Sequence, residues 1–176
     1  MSVLVVPHDP AWRRHFEAEA RRLAESLGDV VVRLHHIGST AVPGLPAKPV
    51  IDVLLEVGEL EALDAVTPAL EALGYEAKGE FGIPGRRYFR KDDASGQRTH
   101  QVHSFAVGSD NVRRHLAFRD YLIACPAVAQ AYGQLKQALA RRHPDDMERY
   151  RNGKDGFVKE QEAKAVAWWR IHDGMS

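Results

Sequence analysis

Three scarcities bound this 176-residue chain before any motif is read. A single cysteine, Cys125, leaves no internal disulfide, so the fold must be held by its core, and a reduced, cytoplasmic setting is expected. No apolar stretch approaches the roughly 20 residues of a membrane-spanning helix. No charged segment followed by an apolar one opens the chain, so no secretory signal is expected. Net charge is the third scarcity: 24 Lys+Arg balance 24 Asp+Glu, and the isoelectric point is about 7.1. That balance excludes the broad basic field of a dedicated nucleic-acid binder, and any basic site must be local. Repeats and low-complexity tracts are absent too. A chain of this size buries roughly 70% of the surface its unfolded form exposes, so residues 1–176 are expected to form a single domain, with a helical C-terminal part from about residue 109.

Apolar spacing supplies the elements. Trp12, Phe16, Ala20, Leu23 and Leu27 recur at helical intervals and predict a helix from about Pro10 to Leu27, with Asp9 as N-cap and Gly28 as the stop. The β-branched run 30–37 predicts a strand ending at Gly38-Ser39. Alternation there turns His35 and His36 to opposite faces, so they do not chelate together. Residues 40–49 hold three prolines and Gly44, too many for a strand interior, and form a loop or single turn that delivers Lys48 to a second strand over 50–57. Glu59 to Leu73 reads as one amphipathic helix that Pro68 is placed to break, followed by a short strand at Tyr75. Strands at about 86–91 and 99–107 predict a hairpin closed by the polar turn 92–97. Beyond Ser109 the pattern is helical: 110–124, 127–142, and stretches at 145–152 and 157–171 joined through Gly153.

The organising stretch is His36 to Glu56, where two apolar strands meet at a polar turn. On the second strand Asp52 and Glu56 share a face about 13 Å apart, too far to hold one metal ion together. Asp52 lies in an otherwise apolar run, where an unpaired carboxylate is costly, so it needs either a functional cation or a structural partner. Gly38-Ser39 is either a tight strand exit or a phosphate cradle. Lys48 is either a phosphate-binding cation or a solvated loop residue. Arg86 and Arg87 point to opposite sides of their strand, as do His100 and His103, so one of each pair can face a site. The histidines show no paired ligand spacing with cysteine, which excludes a conventional zinc site.

The stretches His8-Asp9-Pro10-Ala11-Trp12, His36 to Leu45, Ala47 to Asp52, Gly82 to Lys91, Arg98 to His103, Arg113 to Leu122 and Tyr150 to Lys154 resemble the GrpB family over nearly the whole chain. The resemblance implies an α/β (α+β) fold with a nucleotidyltransferase-like mixed sheet core packed with helices, plus C-terminal helices. The superfamily pattern it implies is Gly-Ser, about a dozen residues, then a strand bearing two acids one residue apart. Twelve residues do separate Ser39 from Asp52, but Leu54 stands at the second acid position and cannot ligate a metal. A two-metal clamp needs bridging acids, so the departure leaves one-metal chemistry, metal-free chemistry or no transfer.

The expectation is therefore a nucleotidyltransferase-like protein that binds a nucleotide or another phosphorylated small molecule, transferring a nucleotidyl group if a divalent metal is held. Asp52 and His103 are the candidate catalytic residues and metal ligands, with Mg²⁺ or Mn²⁺ as the cofactor. Gly38, Ser39, Thr40, Lys48 and Arg87 are the candidate phosphate-binding residues. The alternatives are a non-catalytic nucleotide- or partner-binding module on the same fold, and a metal-independent acid–base enzyme acting on a small metabolite. Substrate, acceptor and oligomeric state have no signature in the sequence.

Overall fold

The structure, a computed structural model, describes residues 3–172 and is a mixed α+β fold of two compact units. A sheet unit comprises residues 11–38 and 50–112, and a helical unit comprises residues 3–10, 39–49 and 113–172. Neither is one continuous stretch of chain.

The sheet unit opens with α1 (Ala11–Leu27), whose end is turned by Gly28 at φ +59 into a short 3₁₀ turn. Then come β1 (Val31–Ile37), β2 (Ile51–Val57), α2 (Leu60–Ala65), α3 (Thr67–Ala72), β3 (Tyr75–Ala77), β4 (Arg87–Asp92) and β5 (Arg98–Ala106). The single helix expected over 59–73 is two: Pro68 has no N–H to give an interior helical bond, and it sits in the first turn of α3 instead. The strands form one sheet in the order β1-β2-β5-β4-β3. Only β2 and β5 run parallel, because the crossover through α2, α3 and the β3–β4 connection returns β5 alongside β2. The predicted hairpin is β4–β5.

Pairing fixes which side chains share a face. His36 stacks on Phe16 of α1, at 4.8 Å between ring centroids, so Leu34, Val53, Leu55, Val102, Phe89 and Tyr75 lie on the side that α1 covers. Glu19 of α1 is fully buried there, accepting from the Tyr75 hydroxyl and from Lys91 Nζ at 2.5 Å each and from Arg22 at 3.0 Å. The opposite face carries His35, Asp52, Leu54, Glu56, Tyr88, Gln101, His103 and Phe105. The candidate site lies on this second face.

The helical unit contains most of α4 (Asp110–Ala124), with α5 (Pro126–Arg142) and α6 (Met147–His172). Where two helical stretches are expected around Gly153, one 26-residue helix runs through. Its glycines cost propensity, but Gly153 has a packing reason: a Cβ there would meet Leu139 of α5 at 2.5 Å. Asp146 caps α6, its carboxylate accepting the Arg149 N–H at 3.0 Å. The 39–49 segment begins as a 3₁₀ turn over Ser39–Ala41 and buries Val42 and Leu45 against Leu122, Ala129 and Tyr132. Val6 and Ala47 exchange backbone hydrogen bonds at 2.9 and 3.0 Å.

Candidate functional site

The site is built outward from the end of β1. Gly38 has φ +75, a conformation that disfavours any residue with a Cβ, and a Cβ on it would stand 2.6 Å from Asp52 Oδ2. Backbone conformation and close approach thus both require glycine. The carboxylate pressed against that glycine accepts a hydrogen bond at Oδ1 from His103 Nε2 of the neighbouring parallel strand, at 3.1 Å. Asp52 is 24% and His103 13% exposed, enough for the carboxylate to meet a ligand while the imidazole stays enclosed.

The other nitrogen of His103 fixes its tautomer. Arg86 Nη1 lies 3.4 Å from His103 Nδ1, and a guanidinium has only donors, so Nδ1 accepts and Nε2 carries the proton that Asp52 receives. Arg86 also donates from Nε to the Glu80 carbonyl at 3.1 Å and from Nη2 to the Phe81 carbonyl at 2.9 Å. The 79–86 loop therefore wraps its own arginine, and the arginine ties the loop to the imidazole. Arg86 lies 4.9 Å above the Tyr88 ring, which is 5.5 Å from His103 and stacks at 5.2 Å with the half-exposed ring of Phe81. Burial raises the Tyr88 phenol above its ordinary value, and the charge of Asp52 adds to that rise. Phe81 sits at φ +47, a strained position for an aromatic residue.

Of the residues singled out in the sequence, this unit brings together Gly38, Asp52 and His103. Arg87 lies on the opposite face and grips Asp64 of α2 with two bonds, at 2.8 and 3.2 Å, which hold the Asp64 carboxyl below its usual range and raise the guanidinium. Ser39, Thr40 and Lys48 belong to the helical unit, where Thr40 is buried and Lys48 Nζ rests 3.9 Å from the Met147 sulfur. Leu54, at the second acid position, is fully buried. Among the described residues no three His, Cys, Asp or Glu side chains gather as a metal site. Of the two expected metal ligands, Asp52 could offer a cation its carboxylate, whereas both ring nitrogens of His103 are engaged with Asp52 and Arg86, and this donor set does not make a two-metal clamp. A second carboxylate–imidazole pair, Glu56 and His35 at 2.6 Å, lies on the same face, with Arg33 3.9 Å from Glu56.

Sequence reasoning named Arg87, not Arg86, as the phosphate-binding arginine and did not single out Tyr88. The register Tyr88↔His103 resolves both, since it sets Tyr88 beside the imidazole and turns Arg87 to the other face.

Comparison with known proteins bears on the whole chain. A family model described as GrpB protein matches residues 2–164. The chain belongs to the GrpB family. Within that family it is 43% identical over 166 residues to the UPF0157 protein YqkA of Bacillus subtilis, a match covering 94% of this chain and 48% of that protein. The chain thus spans about half the length of that relative. The crystal structure of the conserved protein GrpB from Enterococcus faecalis superposes with a TM-score of 0.90 at 44% identity, covering 94% of this chain and 99% of that one. A protein named dephospho-CoA kinase from Mycobacterium bovis is 30% identical over 191 residues, covering 93% of this chain and 46% of that protein.

Proposed function

We propose that this GrpB-family chain is a nucleotidyltransferase-like protein that binds a nucleotide or another phosphorylated small molecule through Asp52. His103 acts as the residue that positions the Asp52 carboxylate. The observation that carries the reading is the polar line Arg86–His103–Asp52 ending against Gly38, where a bare glycine Cα lets a ligand approach a carboxylate held in one orientation. Mg²⁺ or Mn²⁺ would bind here through the Asp52 carboxylate, with ligand phosphates and water completing its shell, while both ring nitrogens of His103 stay engaged with Asp52 and Arg86. Oriented carboxylates of this kind serve equally as proton acceptors.

A second reading, metal-independent acid–base chemistry on a small metabolite, is favoured by Leu54, an alkyl side chain where a second bridging acid would stand. Loss of transfer chemistry with retained ligand binding fits the same departure. Turnover that survives a chelator selects the acid–base reading, and binding without turnover selects the binding module.

The experiment is a thermal-shift panel of nucleoside mono-, di- and triphosphates, dephospho-CoA and common phosphometabolites. Each is run with and without Mg²⁺ or Mn²⁺ on the wild type and on Asp52→Asn. Dephospho-CoA is included because the mycobacterial relative carries that substrate in its name. A ligand at about 100 times its Kd adds roughly 2.7 kcal/mol, which at about 2–4 °C per kcal/mol for a domain of this size is a shift of about 5–11 °C. A shift that Asp52→Asn abolishes supports the reading. If no phosphorylated compound moves either protein, the reading is discarded.

A further inference from the structure

The second face of the sheet unit carries two carboxylate–imidazole pairs, and they differ in what each ring nitrogen has left to give. In the first pair both nitrogens of His103 are engaged, Nε2 by Asp52 and Nδ1 by Arg86. In the second pair His35 Nε2 lies 2.6 Å from Glu56 Oε2. A carboxylate has only acceptors, so Nε2 carries the proton and Nδ1 keeps its lone pair. Among the described residues no group hydrogen-bonds to that Nδ1, and the His35 side chain is 21% exposed. Of the two imidazoles, His35 therefore holds the basic nitrogen that a ligand can meet.

Strand pairing gives that nitrogen its neighbourhood. His35 on β1 stands opposite Leu54 on β2, and Leu54 is in turn the register partner of His103 on β5. The two imidazoles are thus two strand spacings apart, roughly 10 Å, and do not form one cluster. In an antiparallel ladder a residue's diagonal neighbours on the same face lie about 7–8 Å away, and for His35 these are Asp52 and Glu56. Glu56 is buried, and the two groups that hold it, His35 and Arg33, both come from β1, with Arg33 directly opposite it in register. A carboxylate fixed in this way keeps the ring in one tautomer and balances the positive charge that arises when Nδ1 takes a proton. Glu56 itself is too enclosed to meet a ligand, whereas Asp52 is 24% exposed.

We propose that His35, held by Glu56, is the general base of the Asp52 site, taking the proton of a hydroxyl nucleophile, water or an alcohol, that attacks phosphorus in the compound bound at Asp52. The role rests on the function proposed above, because it needs a phosphorylated compound at that carboxylate. In the step, the nucleophile's O–H bond breaks as the new O–P bond forms, and its proton passes to Nδ1. The bond from phosphorus to the leaving group breaks in the same displacement, and the leaving group keeps the electron pair. The imidazolium, with both nitrogens protonated, is then paired with the Glu56 carboxylate until Nδ1 gives its proton to the leaving group or to water. Glu56 is a positioning residue in this scheme and acts through the ring.

Hydrolysis of bis(p-nitrophenyl) phosphate by the full chain, followed as released p-nitrophenolate with and without Mn²⁺, tests the assignment. His35→Gln keeps an amide N–H for Glu56 but has no basic nitrogen, so kcat should fall about 100-fold or more with KM within about twofold of the wild type. His35→Ala should fall alike and regain about tenfold or more when free imidazole is added, which loss of a structural histidine would not allow. Glu56→Gln presents an amide donor to Nε2, so the ring should switch to the Nδ1–H tautomer, visible in its ¹⁵N shifts, and kcat should fall about tenfold or more. His15→Ala, which removes an exposed imidazole from α1, should turn over as the wild type does. An unchanged kcat in His35→Gln, with the native fold by circular dichroism, overturns the proposal. So does a loss in His35→Ala that imidazole does not restore, or a wild type that releases no p-nitrophenolate above the buffer rate. Failure here stays distinct from failure of the Asp52 reading, because His35→Gln should keep every ligand-induced thermal shift that Asp52→Asn abolishes.

Discussion

Replacing Gly38 with alanine tests the geometry of the Asp52 site without deleting any polar group. Holding an L-residue in the left-handed region costs about 1–2 kcal/mol relative to glycine. The added methyl would also stand 2.6 Å from Asp52 Oδ2 and 3.1 Å from Asp52 Cβ, so the carboxylate must swing away. The bond from His103 at 3.1 Å goes with it, a further loss of about 1–2 kcal/mol. Gly38→Ala should therefore destabilise the protein by about 2–4 kcal/mol, read as a lowered midpoint in urea with an unchanged slope. The decisive assay is a double-mutant cycle with Asp52→Ala. With the carboxylate gone, only the backbone strain and the 3.1 Å contact remain, so the cost of Gly38→Ala should fall to about 1–2 kcal/mol. The expected coupling is about 1–2 kcal/mol. Effects that add to within about 0.5 kcal/mol would show that glycine is kept for its φ alone and that Asp52 is not held by its neighbours.

Three further outcomes follow from contacts elsewhere. Burial raises the Glu19 carboxyl, but bonds from Lys91 and Tyr75 and the charges of His100 and Lys91 outweigh it, so its folded value lies below the ordinary glutamate value of about 4.5. Its contribution should be complete above about pH 4.5 and vanish as pH falls through the lower folded value; acid unfolding of Glu19→Gln should lack that slope, with about 3–5 kcal/mol already lost at neutral pH. Arg87→Ala should cost no more than about 1 kcal/mol, since Asp64 is 46% exposed, and should leave ligand-induced thermal shifts at the Asp52 site unchanged. Gly153→Ala should destabilise by about 1–3 kcal/mol through overlap with Leu139, and Leu139→Ala should remove that increment in a urea-denaturation cycle.

Much of the sheet unit was legible because alternation and punctuation are local signals. The β-branched run ending at Gly38, the apolar strand around Asp52 and the polar turn of the 87–106 hairpin each announce themselves within ten residues. Alternation alone also put His35 and His36 on opposite faces, as it did His100 and His103, and the structure places all four so. Strand order was not legible: nothing near residue 100 announces that β5 pairs parallel with β2, and only that pairing brings His103 to Asp52. Arg86 and Arg87 are chemically alike and adjacent, so their separate tasks depend on where β4 begins. Lys136 gives the weakest signal of all, because a lysine one turn from a tyrosine on a helix looks like any solvated side chain until it is found buried. The break before α3 and the unbroken α6 show opposite outcomes for the two helix breakers. Pro68 lacks a donor that packing cannot restore, whereas Gly153 repays its lost propensity by letting two helices touch.

The segment between β1 and β2 has a consequence for synthesis on the ribosome. Leu45 and Pro46 rest against Gly133, which is translated 88 residues after Leu45, a delay of about 4–18 s at roughly 5–20 residues per second. Throughout that interval β1 and β2 are joined by a span whose seat does not yet exist, with Val42 and Leu45 uncovered. A ribosome pause introduced just upstream of α5 should therefore lengthen protease sensitivity in the nascent chain at residues 39–49, while the same pause placed after α5 should not.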